Sequence, residues 1–288
     1  YEQRLWFASE QTIWASKTGD FFNFTMGINP DHAMQYTIPS QQVNKIQWLV
    51  SGKIMVIGTA GGEYKVSASA LDDAIVPLNI RVAKQSNIGS DYREPVAIED
   101  IVLYLQRSKK KIREFTYNSL EDKYSSPDMT VLARYLFKSD VKYMAYQQEP
   151  FSILWCVMGD GALNGFTYQR LEGITAWHKH ATKGKVEAAT CIYGKNGNNE
   201  LWCGVNRQIG GVVKRYIELL EDPYDDNDLN NDTNCFFVDS GLTYNGPLVT
   251  VLNGLDHLEG EIVAILADGF VKEPQFVASG QITLDTPA

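Results

Sequence analysis

The sequence lacks the features that define several classes of protein. It has only four cysteines in 288 residues and no CxxC pair, which argues against a disulfide scaffold and against a structural zinc site. No apolar run approaches the roughly 18 residues that cross a bilayer, so we expect no membrane span. A formal net charge of -9 disfavours sequence-specific DNA binding, because phosphate contacts need clustered Lys and Arg.

Motifs for metal and phosphate binding are also missing or incomplete. The glycine-rich stretch 58–64 lacks the Lys-Ser/Thr ending of a phosphate-binding loop, so its glycines predict a turn. His178 and His180 are two residues apart, and 226–230 imitates the start of a calcium loop, but neither pattern offers a complete set of ligands. We therefore predict no metal and no cofactor.

Catalytic motifs are absent as well. The sequence has no GxSxG elbow and no HExxH helix, and the carboxylates of Asp160 and Asp256, the latter beside His257, are explained more simply by turn chemistry. We expect a protein that is not an enzyme. A propeller hydrolase acting on glycans is kept as a third hypothesis, and it requires two carboxylates roughly 5 to 10 Å apart in a cleft.

What the sequence does contain is a repeat. An apolar run, a turn of Gly, Asn, Ser or charged residues, and a second apolar run recur at intervals of 49, 49, 51 and 47 residues, with anchors at Leu5, Ile54, Leu103, Leu154 and Leu201. Each copy has the pattern of a β-hairpin, and a further strand-like run precedes four of them. A period of about 40 to 50 residues built from antiparallel strands is typical of β-propeller blades.

The repeat predicts an all-β fold with a β-propeller-like body of four-stranded blades over residues 1–221, containing about five blades. Residues 222–235 are acidic and rich in Asn, which indicates a linker or exposed loop. Residues 236–288 contain short strand-like runs between Gly and Asn turns, and they predict a small appended β-barrel or sandwich domain. We expect this last domain to be truncated.

Aromatic residues occupy equivalent places in three of the repeats. Tyr104, Trp155 and Trp202 each follow or lie near the apolar anchor of their copy. We interpret them as aromatics that pack between blades, in preference to rings that stack on a ligand.

Two parts of the chain resemble a known family. Residues 4–24 with 43–64, and residues 240–269 with 279–285, resemble segments of the tail nozzle proteins of short-tailed bacteriophages, the tail tubular protein B type. The resemblance implies a virion protein of the tail, synthesised in the bacterial host cytoplasm. It also implies a ring of sibling subunits, usually six, that lies below the portal and adaptor and encloses the DNA exit channel. The chain is shorter than members of this family usually are, so we expect a fragment.

The charge distribution fits a DNA channel, with one exception. An acidic wall keeps passing DNA hydrated and off the surface. Residues 107–113 oppose this trend at the predicted turn of the third hairpin, where five cations cluster: Arg107, Lys109, Lys110, Lys111 and Arg113. Two interpretations stay open, a solvated loop tip or a loop that contacts DNA or a neighbouring subunit.

The alternative function is a carbohydrate- or receptor-binding β-propeller module of phage or bacterial origin. It rests on aromatic residues that could stack on the faces of sugars, namely Trp14, Trp177 and Tyr244. Burial of those rings in the folded protein argues against it.

Overall fold

The protein is almost entirely built of β-strands. The computed structural model describes residues 1–40, 44–70, 73–120, 122–194, 197–221 and 239–287. In these ranges strands are joined by turns and by two short 3-10 helices, Arg134–Leu136 and Asp256–Leu258, with no α-helix. The predicted all-β, propeller-like fold class is thereby confirmed. Neither helical segment of these ranges has the length and apolarity that a membrane crossing requires.

The chain divides into two compact units, Tyr1–Lys179 and His180–Ala288. The first unit contains four antiparallel sheets in chain order. The first sheet consists of β1 (Trp6–Ser9), β2 (Thr12–Ala15) and β3 (Met34–Thr37). The second consists of β4 (Ile46–Ser51), β5 (Met55–Thr59), β6 (Gly62–Ser67) and β7 (Arg81–Lys84). The third consists of β8 (Val96–Ile98), β9 (Ile101–Leu105), β10 (Ile112–Asn118) and β11 (Lys123–Ser125). The fourth consists of β12 (Val141–Gln147), β13 (Ile153–Met158), β14 (Leu163–Gln169) and β15 (Ile174–His180).

The turns between central strands follow from local sequence. In the turn between β13 and β14, Gly161 adopts a φ of 91°, which suits glycine. Asp160 accepts a hydrogen bond from the backbone N–H of Ala162 at 3.2 Å, and the N–H of Gly161 donates to the Met158 carbonyl at 3.0 Å. Asp160 therefore serves as a turn residue, which is the use that its sequence context indicates.

Neighbouring sheets of the first unit share apolar cores. Along β9, Leu103 packs in a cluster with Leu154 of the fourth sheet, whereas the next residue, Tyr104, packs with Trp48 of the second sheet. This alternation follows from the two-residue period of a strand, which points successive side chains to opposite faces. The third sheet is therefore buried on both faces, as a propeller blade must be.

The second unit contains one large sheet and two small ones. The large sheet consists of β16 (Gly184–Tyr193), β17 (Asn199–Ile209) and β18 (Val212–Leu220). The small sheets pair β19 (Val251–Asn253) with β22 (Gln281–Thr283), and β20 (Ile262–Ala267) with β21 (Phe270–Phe276). The small sheets share a core that includes Leu255, Ile265, Val277, Ile282 and Leu284. Residues 239–287, for which a small barrel or sandwich domain is predicted, thus contain two two-stranded sheets on a common core, and they belong to the same compact unit as β16–β18.

The division between units differs from the predicted one. We placed the boundary after residue 221, but the fifth hairpin, β17–β18, lies in the second unit. The physical reason is burial: along β17, residues such as Leu201 and Cys203 are buried, while the intervening Trp202 is half-exposed. A central blade buries both faces, and β17 buries only one. The predicted linker 222–235 and residues 236–238 lie outside the described residues.

Candidate functional site

The basic segment 107–113 forms the tight turn between β9 and β10. Lys109 adopts a φ of 61°, and its N–H donates to the Gln106 carbonyl at 2.8 Å. The backbone N–H of Val141, the first residue of β12, donates to the Lys109 carbonyl at 2.8 Å. The turn is therefore fixed against the start of the fourth sheet.

Three of its five cations have partners in the fold. Lys110 donates to the Lys138 carbonyl at 2.9 Å, and Arg113 donates to the Ser126 carbonyl at 2.9 Å. Lys111 lies 3.3 Å from the carboxylate of Asp128. Burial alone would raise the pKa of Asp128, but hydrogen bonds from Thr130 and Lys111 bring that pKa below its ordinary value.

The remaining two cations, Arg107 and Lys109, have no ion pair within the part of the chain that the structure describes. Arg107 is exposed and Lys109 is half-buried. The structure thus brings the five predicted cations together at one turn, where Lys111 pairs with a carboxylate, while Lys110 and Arg113 donate to uncharged carbonyls and keep their charge.

The three equivalent aromatics have three different environments. Tyr104 is fully buried, its ring lies 5.6 Å from that of Trp48 in the neighbouring sheet, and burial raises its pKa far above the ordinary value. Trp155 is also buried, but its Nε1–H donates to Gln147 at 2.9 Å within its own sheet. Trp202 is half-exposed and lies in the second unit. Of the three rings, Tyr104 therefore makes a described contact with a neighbouring sheet, as predicted for aromatics that pack between blades.

Sequence reasoning missed two buried carboxylates in the first unit. Glu63 of β6 is completely buried, and it accepts a hydrogen bond from Ser90, beside the third sheet, at 2.8 Å and another from Ser86. Burial raises the pKa of Glu63 above its ordinary value despite these two hydrogen bonds. Glu63 therefore links the second sheet to the segment that leads into the third.

Glu114 of β10 makes the corresponding connection between the third and fourth sheets. It accepts a hydrogen bond from the hydroxyl of Tyr168 at 2.8 Å and lies 3.4 Å from the guanidinium of Arg170. We call Glu63 and Glu114 the inter-sheet carboxylates. The local sequence gives no clear signal of burial, because Glu63 lies between Gly62 and Tyr64 and Glu114 lies between Arg113 and Phe115. It does not reveal the partners, which for Glu114 are 54 and 56 residues away along the chain.

A charged cluster also organises the second unit. Arg207 of β17 is 4% exposed, and its guanidinium makes two hydrogen bonds to Glu218 of β18, at 2.5 and 2.6 Å. Arg207 further donates to Asp239 at 3.0 Å, which also accepts from the hydroxyl of Thr182 at 2.7 Å. Burial raises the pKa of Asp239, but the hydrogen bonds from Arg207 and Thr182 outweigh it and bring the pKa below its ordinary value.

The hairpin β20–β21 presents an apolar face to solvent. Its register pairs Ile262 with Phe276 and Leu266 with Val271, and these four side chains are 70%, 59%, 65% and 84% exposed. The opposite face packs into the core through Ile265, which is 9% exposed. We call the four side chains the apolar ribbon.

The candidate metal ligands do not assemble into a site. The described residues contain no group of three or more His, Cys, Asp and Glu side chains placed to share a metal ion. The ring of His178 lies edge-on to Trp155 at 5.7 Å, and burial lowers the pKa of His178. The calcium-like stretch 226–230 lies outside the described residues. The glycine-rich stretch 58–64 forms the turn between β5 and β6, as predicted, where Asn44 accepts from the Gly61 N–H at 2.6 Å.

The three aromatic side chains on which the carbohydrate hypothesis rests differ in their exposure to solvent. Trp177 stacks on Phe166 at 4.4 Å, meets Phe137 edge-on at 4.8 Å and donates to the Met129 carbonyl, so its ring is used by the core. Trp14 is half-buried in β2. Tyr244 is 50% exposed and donates to the Pro247 carbonyl at 2.9 Å.

The hydrolase hypothesis gains no support from two surface depressions in the described part of the first unit. One lies beside β3 and the other between β3 and β7, and no carboxylate lines either of them. The second is bordered by Lys65 and Arg81. A pair of carboxylates facing across a cleft, which glycoside hydrolysis needs, is not present in these depressions.

Comparison with known proteins adds little to this picture. No protein-family model and no curated protein matches the chain. Among solved structures, a luciferin-regenerating enzyme is similar with a TM-score of 0.29 and 8% sequence identity, over 71% of this chain and 83% of that one. Similarity at this level supports no argument about function. The chain is thus defined by its own architecture, an all-β protein of propeller-like antiparallel sheets.

Proposed function

We propose that the protein is a structural component of a bacteriophage virion. In this proposal it forms part of the tail nozzle through which DNA exits, attached below the portal and adaptor complex, and it performs no reaction. Its partners are sibling subunits in a ring of six, the tail adaptor protein and, without sequence specificity, the passing DNA. It is located in the virion tail after synthesis in the bacterial host cytoplasm.

The observation that carries the proposal is the stacking of sheets in the first unit. The third sheet is buried on both faces, and the inter-sheet carboxylates Glu63 and Glu114 tie neighbouring sheets together. Such a body resists deformation, because its third sheet is held from both sides. A channel wall needs this property, and the resemblance of residues 4–24 and 240–269 to tail nozzle proteins favours the same function.

The distribution of charge supports the same proposal. The net charge of -9 opposes adhesion of DNA to the protein surface. In the basic turn the charge of Lys111 is compensated by Asp128, whereas exposed Arg107 and Lys110 and half-buried Lys109 offer charge to DNA or to a neighbour. A few cations at one turn provide a weak contact that does not arrest a sliding polyanion.

Imaging of the chain together with the adaptor protein tests the proposal. We expect rings by negative-stain electron microscopy, and absence of both rings and adaptor binding would contradict it. Charge reversal at Arg107 and Lys109 should weaken ring assembly or DNA retention. Lys179→Glu, at an exposed lysine of β15, is the matched control and should change neither.

A second candidate function is supported by the aromatic surface of the first sheet. Phe22 is 92% exposed and Phe7 is 52% exposed, and Phe7 is the cross-strand neighbour of Trp14. Exposed rings of this kind suit a carbohydrate- or receptor-binding module. A glycan array checks this: binding that is lost in Phe22→Ala would favour the module, whereas an array with no hits would remove it.

A further inference from the structure

Hairpin turns and connections between sheets meet at one end of the first unit. The end of β5 is joined to the connection before the third sheet by a hydrogen bond from the Ser90 N–H to the Thr59 carbonyl at 2.8 Å. The turn between β9 and β10 is hydrogen-bonded to the start of β12. In the turn between β13 and β14, the Gly159 N–H donates to the Asp140 carbonyl at 2.7 Å. Backbone hydrogen bonds therefore fix these loops against one another as a continuous rim.

The rim gathers cations that are distant in the sequence. In the turn between β9 and β10, the ammonium of Lys110 donates to the Lys138 carbonyl at 2.9 Å. The side chain of Lys142 lies over the turn between β13 and β14, where a Cβ on Gly159 would be 3.2 Å from the Cε of this lysine. We call the following cluster the basic rim: Arg107, Lys109, Lys110, Lys138 and Lys142. Two of its lysines lie outside the cationic segment 107–113, so only the folded chain reveals the whole cluster.

The basic rim carries a local excess of positive charge. Within the part of the chain that the structure describes, none of its five members forms a salt bridge. Three carboxylates lie on the same loops without a salt bridge among the described residues, so the cations outnumber them: Glu94, Asp140 and Asp160. Four of the five cations are exposed: Arg107, Lys110, Lys138 and Lys142. Their charge is therefore accessible from solvent.

The opposite end of the first unit has the reverse charge. Successive turns of an antiparallel sheet alternate between its two ends, so the turns β4–β5, β8–β9, β10–β11, β12–β13 and β14–β15 lie away from the basic rim. These turns carry five exposed carboxylates: Glu99, Asp100, Asp122, Glu149 and Glu172. A polyanion is therefore attracted by one end of the unit and repelled by the other.

We propose that the basic rim is the surface of this protein that contacts the phosphate groups of DNA, an inference that rests on the proposed function for the choice of DNA as the polyanion. The net charge of -9 does not prevent this contact, because at physiological salt the charge of distant parts of the chain is screened beyond about 8 Å. An acidic protein surface has the same sign of charge as DNA. However, the exposed residues of 106–111 and 138–142 include no large apolar side chain that would form the core of a protein interface.

The number of cations predicts a weak contact that depends on salt. Neutralisation of about two to four phosphates gives a slope of about −2 to −4 for the logarithm of the association constant against the logarithm of the salt concentration. Contacts with phosphate carry no direct information about base sequence, so we expect similar affinity for unrelated duplexes. Binding without sequence specificity has dissociation constants of about 10⁻⁴ to 10⁻⁶ M at physiological salt, and lower salt strengthens it.

Fluorescence anisotropy of a labelled DNA duplex of mixed sequence, titrated with the 288-residue chain at about 50 to 200 mM salt, tests the inference. Lys138→Glu combined with Lys142→Glu should weaken binding at least about tenfold and reduce the salt slope by about 2. Lys53→Glu combined with Arg81→Glu is the matched control. It changes the net charge by the same amount at exposed positions away from the rim, and it should change the affinity by less than about threefold.

A second variant, Arg107→Gln combined with Lys110→Gln, neutralises the rim without reversing its charge and should also weaken DNA binding. Absence of DNA binding at the lowest salt overturns the inference, as does an equal loss of affinity in the rim and control variants. Labelled poly-glutamate that binds as tightly as DNA, and through the same lysines, assigns the rim to an acidic protein instead. Circular dichroism of each variant confirms that its fold is retained.

The result is distinguishable from the test of the proposed function. A chain that binds DNA through the basic rim but forms no ring and binds no adaptor contradicts the proposed function and leaves the rim assigned. A chain that forms rings with the adaptor but has no affinity for DNA contradicts this inference alone.

Discussion

Removing the hydroxyl group of Tyr168 tests the connection between the third and fourth sheets. Tyr168 is 3% exposed, and its hydroxyl donates to the buried carboxylate of Glu114 at 2.8 Å. Tyr168→Phe keeps the ring and removes this donor, so the carboxylate loses a partner that water cannot fully replace. A buried polar group left without its partner costs about 1–3 kcal/mol. For a unit of this size, each kcal/mol lowers the melting temperature by about 2–4 °C.

We therefore expect Tyr168→Phe to lower the melting temperature of the first unit by roughly 2–12 °C in differential scanning calorimetry. Tyr135→Phe is the matched control, because Tyr135 is 66% exposed, and its effect should stay within about 0.5 kcal/mol. Combining Tyr168→Phe with Glu114→Gln in a double-mutant cycle should give a coupling of at least about 0.5 kcal/mol. A shift no larger than that of Tyr135→Phe, or a coupling near zero, would refute the role assigned to this pair.

Three further changes test other parts of the structure. The raised pKa of Glu63 means that ionisation of this carboxyl opposes folding as the pH rises above about 4.5, the ordinary pKa of Glu. Glu63→Gln should therefore make the free energy of unfolding in urea less dependent on pH above that value. The lowered pKa of Asp239 has the opposite sign: its contribution is present above about pH 3.8 and lost as pH falls further, and Asp239→Asn should remove this acid-sensitive part of the stability of the second unit. Leu154→Ala, at a fully buried position, should cost about 2–5 kcal/mol by urea unfolding, whereas Leu132→Ala, 92% exposed, should cost less than about 0.5 kcal/mol. An equal cost at both leucines would contradict the assigned core.

The repeat could be predicted from the sequence because its signals are local. The continuous apolar run of β9 and the Gly-Asp-Gly turn after β13 depend on neighbouring residues, and both produce the predicted hairpins. Leu103 and Leu154, chosen as anchors from spacing alone, are both fully buried.

Whether the fifth repeat belongs to the first or the second unit depends on contacts with distant segments of the chain. Leu201 follows the same pattern as Leu154, yet β17 has only one buried face and belongs to the second unit. Segments distant in sequence determine which faces of a strand are covered, so the spacing of apolar residues within the strand does not predict it.

The basic turn shows the same limit for the candidate site. Five cations in seven residues suggest an exposed and adhesive loop, but Lys111 is paired with Asp128 and Lys110 with the Lys138 carbonyl. These partners come from segments 17 and 28 residues further along the chain. The charge was visible in the sequence, whereas the ion pair of Lys111 with Asp128 and the hydrogen bond of Lys110 to a carbonyl depend on the folded chain.

The alternation along β9 has a consequence for how this protein can vary. Consecutive residues, Leu103 and Tyr104, belong to two different cores, so inserting one residue into β9 would send each side chain into the wrong core and disturb three sheets together. Insertions are therefore tolerated best in the connections between strands, and new binding loops would be grafted most safely there.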